Sequence, residues 1–311
     1  MYSLFSLKSE VCRGKRSCLP FTRSDATCAD SGEREQFNLI TAFIDGNNVY
    51  GSDEARATKL RTMKDGLMRT HTIGPTLPSN GQTGFAEEDE TSENLVAGDT
   101  RASEQPGLVS MHSLFLLEHN RIAREYKRLD AGLSDDELYN LSRRLVIAEI
   151  QNIVYSEFLP VVLGPDVMDD FNLTLPRSGT TIYNNSVDPT IFNEFATFAF
   201  RFGHSLIPNF FEPSSKPRRT VRNVFRLKDN FFKVEEFVIG FDSSGKAWQN
   251  LLLGIGASGS PVMDPILERH ITNYLFCGKK CDFTNGFGQD LAARNIQRGR
   301  DHGLPGYIKY R

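Results

Sequence analysis

Arg101 and Glu104 stand three residues apart in the run Ala97-Gly98-Asp99-Thr100-Arg101-Ala102-Ser103-Glu104-Gln105-Pro106, just ahead of a proline suited to a first helical turn. A fixed guanidinium at such a place can stabilise negative charge that develops as a bond breaks. A carboxylate one turn away can form an ester. Arg201 and His204 repeat the i, i+3 spacing in Phe200-Arg201-Phe202-Gly203-His204, and Asn295 and Arg298 repeat it again near the C-terminus. An imidazole can bind a metal through one ring nitrogen. A side-chain amide can accept a hydrogen bond from the other ring N–H, which fixes the tautomer and raises ligand basicity.

An arginine one turn from a metal-binding histidine can also hold an anionic group of the same cofactor. His204 with Arg201, and Asn295 with Arg298, therefore suit a haem whose iron sits on the imidazole and whose propionates meet the two guanidinium groups. Each pair has a plainer reading. Arg101 and Glu104 could be an exposed ion pair worth about 0.3–0.5 kcal/mol. Asn295 and Arg298 could lie on a solvated helix face, and His204 could be an ordinary core histidine.

Thr41, Phe43, Asp45 and Asn47 alternate before Gly46-Asn47-Asn48. Side-chain oxygens of Thr41, Asp45 and Asn47, with the Phe43 carbonyl, could converge on a hard cation such as calcium. One carboxylate is few for such a site, so another is expected from elsewhere; the alternative is an Asp-Gly turn. His112 and His119 read as packing or surface residues. The chain holds no Gly-x-Ser-x-Gly, phosphate-binding Gly-rich loop or dinucleotide fingerprint.

The elements that must position these groups read as mainly helical. Helices are expected over 106–129, from the capping box of Ser134 and Glu137 to about 158 before Pro160, from Asp188-Pro189 through His204, over 265–276, and from 291 to Gly303. Residues 1–38 and 71–100 read as irregular, and 209–263 as mixed with little periodicity. With 311 residues, 39% hydrophobic, 24% charged and a net charge of −3, the chain gives no reason to expect nucleic acid or an anionic membrane as partner. No apolar run approaches the roughly 20 residues needed to span a bilayer. Cys12, Cys18, Cys28, Cys277 and Cys281 lack zinc-site spacing, and sequons at Asn140, Asn172 and Asn184 favour an oxidising, secretory setting over free thiols. Asn140 falls inside an expected helix, whereas Asn172 and Asn184 fall in loops.

Taken in order, 41–46, 49–51, 97–107, Glu118-His119-Asn120-Arg121, 184–189, 200–204 and Asn295-Ile296-Gln297-Arg298-Gly299-Arg300-Asp301-His302-Gly303 resemble the animal haem peroxidases, the peroxidase–cyclooxygenase superfamily, and within it the peroxidasin-like and myeloperoxidase-like branches. The resemblance implies a mainly helical peroxidase fold around a b-type haem. It assigns His204 as proximal iron ligand, Asn295 as its hydrogen-bond partner, Arg101 as the distal catalytic arginine and Glu104 as the ester link to haem. Arg201 and Arg298 fall near the propionates, and Thr41, Phe43, Asp45 and Asn47 on a calcium loop, with Asn47 where serine is common. Gln105 stands where some members carry a methionine bonded to haem, so that link is not expected. The resemblance implies a Cys18–Cys28 disulfide. The segment 277–281 reads as an insertion closed by its own disulfide.

The implied partners are hydrogen peroxide and a halide, thiocyanate or phenolic donor, and the implied location is extracellular. In the family a distal histidine and adjacent aspartate lie upstream of the calcium loop, yet no histidine precedes Thr41. Residues 1–311 are thus expected to be the central part of a single peroxidase domain, truncated at both ends, with weak or no turnover alone. The competing expectation is a non-catalytic peroxidase-like module kept for binding or structure.

Overall fold

The computed structural model describes residues 3–7, 17–27, 32, 34–72, 74, 76–79, 83, 95–179, 183–216, 219–220, 224–233, 247–277 and 288–310. In chain order come strands β1 (Ser3–Leu7) and β2 (Ser17–Phe21), then helices α1 (Asn47–Tyr50), α2 (Glu54–Leu60), α3 (Pro106–Leu129) and α4 (Asp135–Ile153). A π turn (Val154–Phe158), α5 (Leu159–Leu163), α6 (Pro165–Asp170), α7 (Asn193–Thr197) and a 3₁₀ segment (Ala199–Leu206) follow. Short strands β3 (Phe210–Phe211), β4 (Ser214–Lys216), β5 (Arg219–Thr220) and β6 (Phe225–Arg226) precede α8 (Ala247–Ala257), α9 (Arg269–Thr272) and α10 (Leu291–Asp301). β1 pairs with β2, β3 with β6 and β4 with β5, all antiparallel. The class is mainly helical, as the sequence implies.

α3 has the bounds that its apolar stripe and Pro106 dictate, and Gln105 caps it by accepting from the Gly107 N–H at 2.6 Å. The capping box forms: Ser134 accepts from the Glu137 N–H, and Glu137 accepts from the Ser134 N–H at 2.8 Å. The helix does not stop before Pro160. A π turn, closed by the Leu159 N–H on Val154 O, widens the backbone so that the missing N–H of Pro160 breaks nothing, and helical structure continues to Leu163. The stretch Asp135–Leu163 is long and apolar enough to cross a membrane by length and composition alone; 6% of its most apolar window is buried. Glu149 and Glu157 interrupt it.

Four further expectations need correction. The helix from Asp188 begins only at Asn193, because the Asp188 carboxylate accepts from the Thr190 N–H at 2.9 Å and makes a local turn instead. It then breaks at Phe198, and His204 sits on a 3₁₀ segment. The helix expected over 265–276 shrinks to α9. Residues 1–38 contain the β1–β2 pair, and 209–263 contain the unexpected α8. α8 is almost wholly apolar, with polar side chains only at Gln249 and Asn250, so no 3.6-residue period betrays it. Its Gly254 is needed, since a Cβ there would lie 1.9 Å from Glu212 O.

The chain forms two compact units. One comprises Ile40–Thr190 and Phe232–Leu252, the other Met1–Leu39, Ile191–Phe231 and Leu253–Arg311. In the first, α3 and α4 pack together and bury Leu116, Ile122, Leu138 and Val146, each at most 3% exposed. In the second, Leu227, Phe231, Ile271 and Leu275 form the core, flanked by Ile207, Phe211 and Leu291.

Candidate functional site

The Arg101 run is held edge-on against α1 in the first unit. Gly98 donates to Val49 O at 3.2 Å and Asp99 donates to Asn48 O at 3.0 Å. A Cβ on Gly98 would lie 2.1 Å from Asn47 O, so only glycine allows this approach. Arg56 of α2 adds a bond from Nε to Ala97 O at 2.8 Å. On this platform Asp99 grips Arg101 three times: from the backbone N–H at 2.8 Å, from Nε at 3.0 Å and from a terminal nitrogen at 2.6 Å. Burial alone would push the Asp99 carboxyl up, but the Arg101 bonds and charge outweigh it and hold it below the ordinary value. The Arg101 guanidinium is raised in turn, first by its bond to Asp99. Glu104, one turn on, donates its N–H to Arg101 O at 2.9 Å and receives the Phe232 N–H on its carbonyl at 3.1 Å.

His112 and His119 are both buried, so neither is a surface residue. His112 Nδ1 lies 2.7 Å from Leu108 O, which can only accept, so Nδ1 carries the proton. Its Nε2 is buried without a hydrogen bond, and burial holds the ring's pKa down. His119 Nε2 lies 2.8 Å from Gly66 O and therefore donates, leaving Nδ1 to accept from the Tyr50 hydroxyl at 3.0 Å. Burial pushes His119 down to about 4. Sequence reading missed this role because Tyr50 and Gly66 lie 69 and 53 residues away.

The calcium-loop candidates occupy the turn that leads into α1. Thr41 Oγ1 accepts from the Phe43 N–H and Asp45 Oδ1 from the Asn47 N–H, each at 3.1 Å. Gly46, at φ 70°, caps the helix. Hydroxyl, carbonyl, carboxylate and amide oxygens suit a hard cation and keep further lone pairs. Among the described residues no group of three or more His, Cys, Asp or Glu side chains could hold a metal.

In the second unit, the structure brings Arg201, His204 and Asn295 together. The Asn295 amide nitrogen lies 2.8 Å from His204 Nδ1, and Arg201 donates to the Asn295 oxygen at 3.1 Å. On a 3₁₀ segment residues three apart eclipse one another, which places Arg201 on the His204 side. His204 is half-buried; burial first, then Arg201, lowers its pKa and favours the neutral ring a metal requires. With the amide nitrogen on Nδ1, the ring proton belongs on Nε2. Ligation through Nε2 requires the amide turned end for end, with its oxygen accepting from Nδ1–H.

Arg298 faces a different set of groups. One terminal nitrogen donates to Thr22 O and Ser24 Oγ, each at 3.0 Å, and to Asp301 at 3.1 Å, while the guanidinium lies 4.4 Å over the Phe21 ring. Asp301, whose side chain is 1% exposed, also takes the Ser24 N–H at 2.8 Å and the Arg23 side chain. Its carboxyl stays below the ordinary value despite burial, through bonds from Arg23, Ser24 and Arg298. His302 donates from Nδ1 to Asn193 at 2.7 Å and accepts from Ser24 Oγ at 2.7 Å. Asp301 and His302 were visible only as part of the run shared with the family. Cys277 is disulfide-bonded; Cys12, Cys28, Cys281 and the side chain of Cys18, and with them the expected pairings, lie outside the described residues.

A model of the animal haem peroxidase family matches residues 6–311. The chain is 35% identical over 320 residues to mouse myeloperoxidase, covering 96% of this chain and 42% of that protein. It is 35% identical over 324 residues to the peroxidasin homolog pxn-2 of Caenorhabditis elegans, covering 96% of this chain and 23% of that protein. The chain thus spans less than half the length of these relatives. Among solved structures, peroxidase A of Dictyostelium discoideum superposes with a TM-score of 0.79 at 29% identity, over 98% of this chain and 60% of that one. A rice fatty acid alpha-dioxygenase, at 22% identity and a TM-score of 0.70, shares the fold. By sequence over nearly its whole length and by backbone, this chain belongs to the animal haem peroxidase family.

Proposed function

We propose that the protein reduces hydrogen peroxide at a b-type haem and oxidises a small donor of the halide, thiocyanate or phenol class. One observation supports the reading above others: a half-buried imidazole, His204, has its Nδ1 held by Asn295 and its Nε2 in no hydrogen bond with a described residue. That donor set fits a haem iron, and when bound the haem supplies the redox-active metal at which peroxide is reduced. Arg201 and Arg298 serve the propionate side. Arg101, oriented by Asp99, stabilises negative charge on the peroxide side. Glu104 is the carboxylate for a covalent link. Thr41, Phe43, Asp45 and Asn47 hold calcium beside α1 and so support the platform beneath Arg101.

Residues 1–311 are read as part of one peroxidase domain. The Cys277 disulfide and the exposed sequons at Asn172 and Asn184 support an extracellular location. The deciding experiment replaces His204 with alanine in the full-length protein. Its haem absorption should shift or vanish; an unchanged haem spectrum removes His204 as ligand. Bound haem with no peroxide turnover in the unaltered protein would instead favour a non-catalytic module.

A further inference from the structure

The loop 61–69 is clamped onto α3 and α4 and forms one wall of a cavity. Asn120 receives the Met68 N–H at 2.7 Å and donates to Met68 O at 3.0 Å. The Gly66 N–H reaches Asp135 at 2.6 Å, and Arg61 reaches Asp135 and Asp136 at 2.7 and 2.6 Å. The cavity beside this loop measures about 250 Å³ and is lined by Thr62, Leu67, Met68, Arg69, Thr70, Asn120 and Arg124. Two of those residues carry guanidinium groups and none is a carboxylate.

Arg124 has no acid within reach on its own helix. Its neighbours at i−4, i−3, i+3 and i+4 are Asn120, Arg121, Lys127 and Arg128. Arg121 and Arg128 are each neutralised by the glutamate three residues earlier, Glu118 and Glu125, at 2.5 and 2.9 Å. Arg124 makes no ion pair or hydrogen bond with a described residue. Arg69, which also lines the cavity, is braced from Nε to Lys59 O at 3.1 Å, and its terminal nitrogens make no hydrogen bond or ion pair with a described residue. Two cations lining one cavity repel unless an anion lies between them.

We propose that this cavity binds a tetrahedral oxyanion, phosphate or sulfate, between the guanidinium groups of Arg69 and Arg124. The fork of each guanidinium matches an oxyanion edge. The volume is several times the roughly 30 Å³ share of one water, so there is room for a carrier group on the anion. Leu67 and Met68 offer that carrier an apolar flank. The site does not depend on haem.

The test is thermal unfolding of the full-length protein in inorganic phosphate, with ionic strength matched by chloride. With about 10 mM phosphate and a dissociation constant near 1 mM, Tm should rise by about 3 °C, and by less than 1 °C in Arg124→Gln and Arg69→Gln. Phosphorus NMR line broadening, lost in the same variants, reports binding directly should either variant alter stability by itself. A second titration with a sulfated disaccharide separates the sources: a larger rise than with phosphate marks a glycan-borne anion, equal rises a free one. An equal rise in the unaltered protein and both variants, which is a bulk salt effect only, overturns the proposal, as does no rise or broadening at all.

Discussion

Asp99 sets the orientation of Arg101, and that dependence makes it a target at the scale of single residues. Removing the charge in Asp99→Asn keeps one acceptor but loosens a three-point grip. If Arg101 serves peroxide reduction, kcat/KM for peroxide should fall by about 10–100-fold, since a misplacement near 1 Å can cost that much. A change below twofold in the haem-loaded protein would detach Asp99 from the chemistry. His119 carries a pH prediction. Its ring sits near 4 when folded against 6.5 for an ordinary histidine. The unfolded chain therefore binds a proton that the folded chain refuses, and stability is lost as pH falls from 6.5 towards 4, by up to about 1.4 kcal/mol per pH unit. Urea midpoints measured across that window should show a shallower slope in His119→Gln; identical slopes would contradict it. Arg101 was legible because its run is local. The Asp99 grip stood in the same run, yet only coordinates distinguish it from a pairing with Glu104.

At the scale of elements, the loop 61–69 and the helices it docks on stand or fall together. Asn120→Ala leaves the buried Met68 N–H and carbonyl without their partner, at a cost of about 2–4 kcal/mol in chemical denaturation and with faster hydrogen exchange at Met68. Unchanged exchange there would mean the clamp is redundant. Gly66→Ala should be worse and yield little folded protein by circular dichroism: the residue has φ 68°, and a Cβ would lie 2.5 Å from Leu138 Cβ. Helices written by local rules were readable, as α3 and the capped start of α4 show. The segment from Asp188 to His204 was not, because the Asp188 turn and the break at Phe198 rest on local backbone geometry that residue spacing does not encode. α8 escaped because it has no polar face to give a period.

At the scale of the whole molecule, sequence patterns gave the helical class and the family, but nothing local could reveal how distant segments share one unit. Asp301 illustrates why. Its carboxylate collects Arg23, the Ser24 N–H and Arg298. Asp301→Ala leaves these groups unmatched and should cost about 3–5 kcal/mol, with protease cleavage appearing between residues 21 and 27; a resistant segment would show that His302 alone suffices. The unit holding Asp301 is assembled from three separate stretches, whereas the other is nearly continuous from Ile40 to Thr190. Ser24 leaves the ribosome 277 residues before its acceptor. At roughly 5–20 residues per second the newborn chain waits on the order of tens of seconds with that segment unclaimed. Chaperone occupancy during translation should therefore be greatest on β1, β2 and the residues that follow them, long after the helices around His119 have closed.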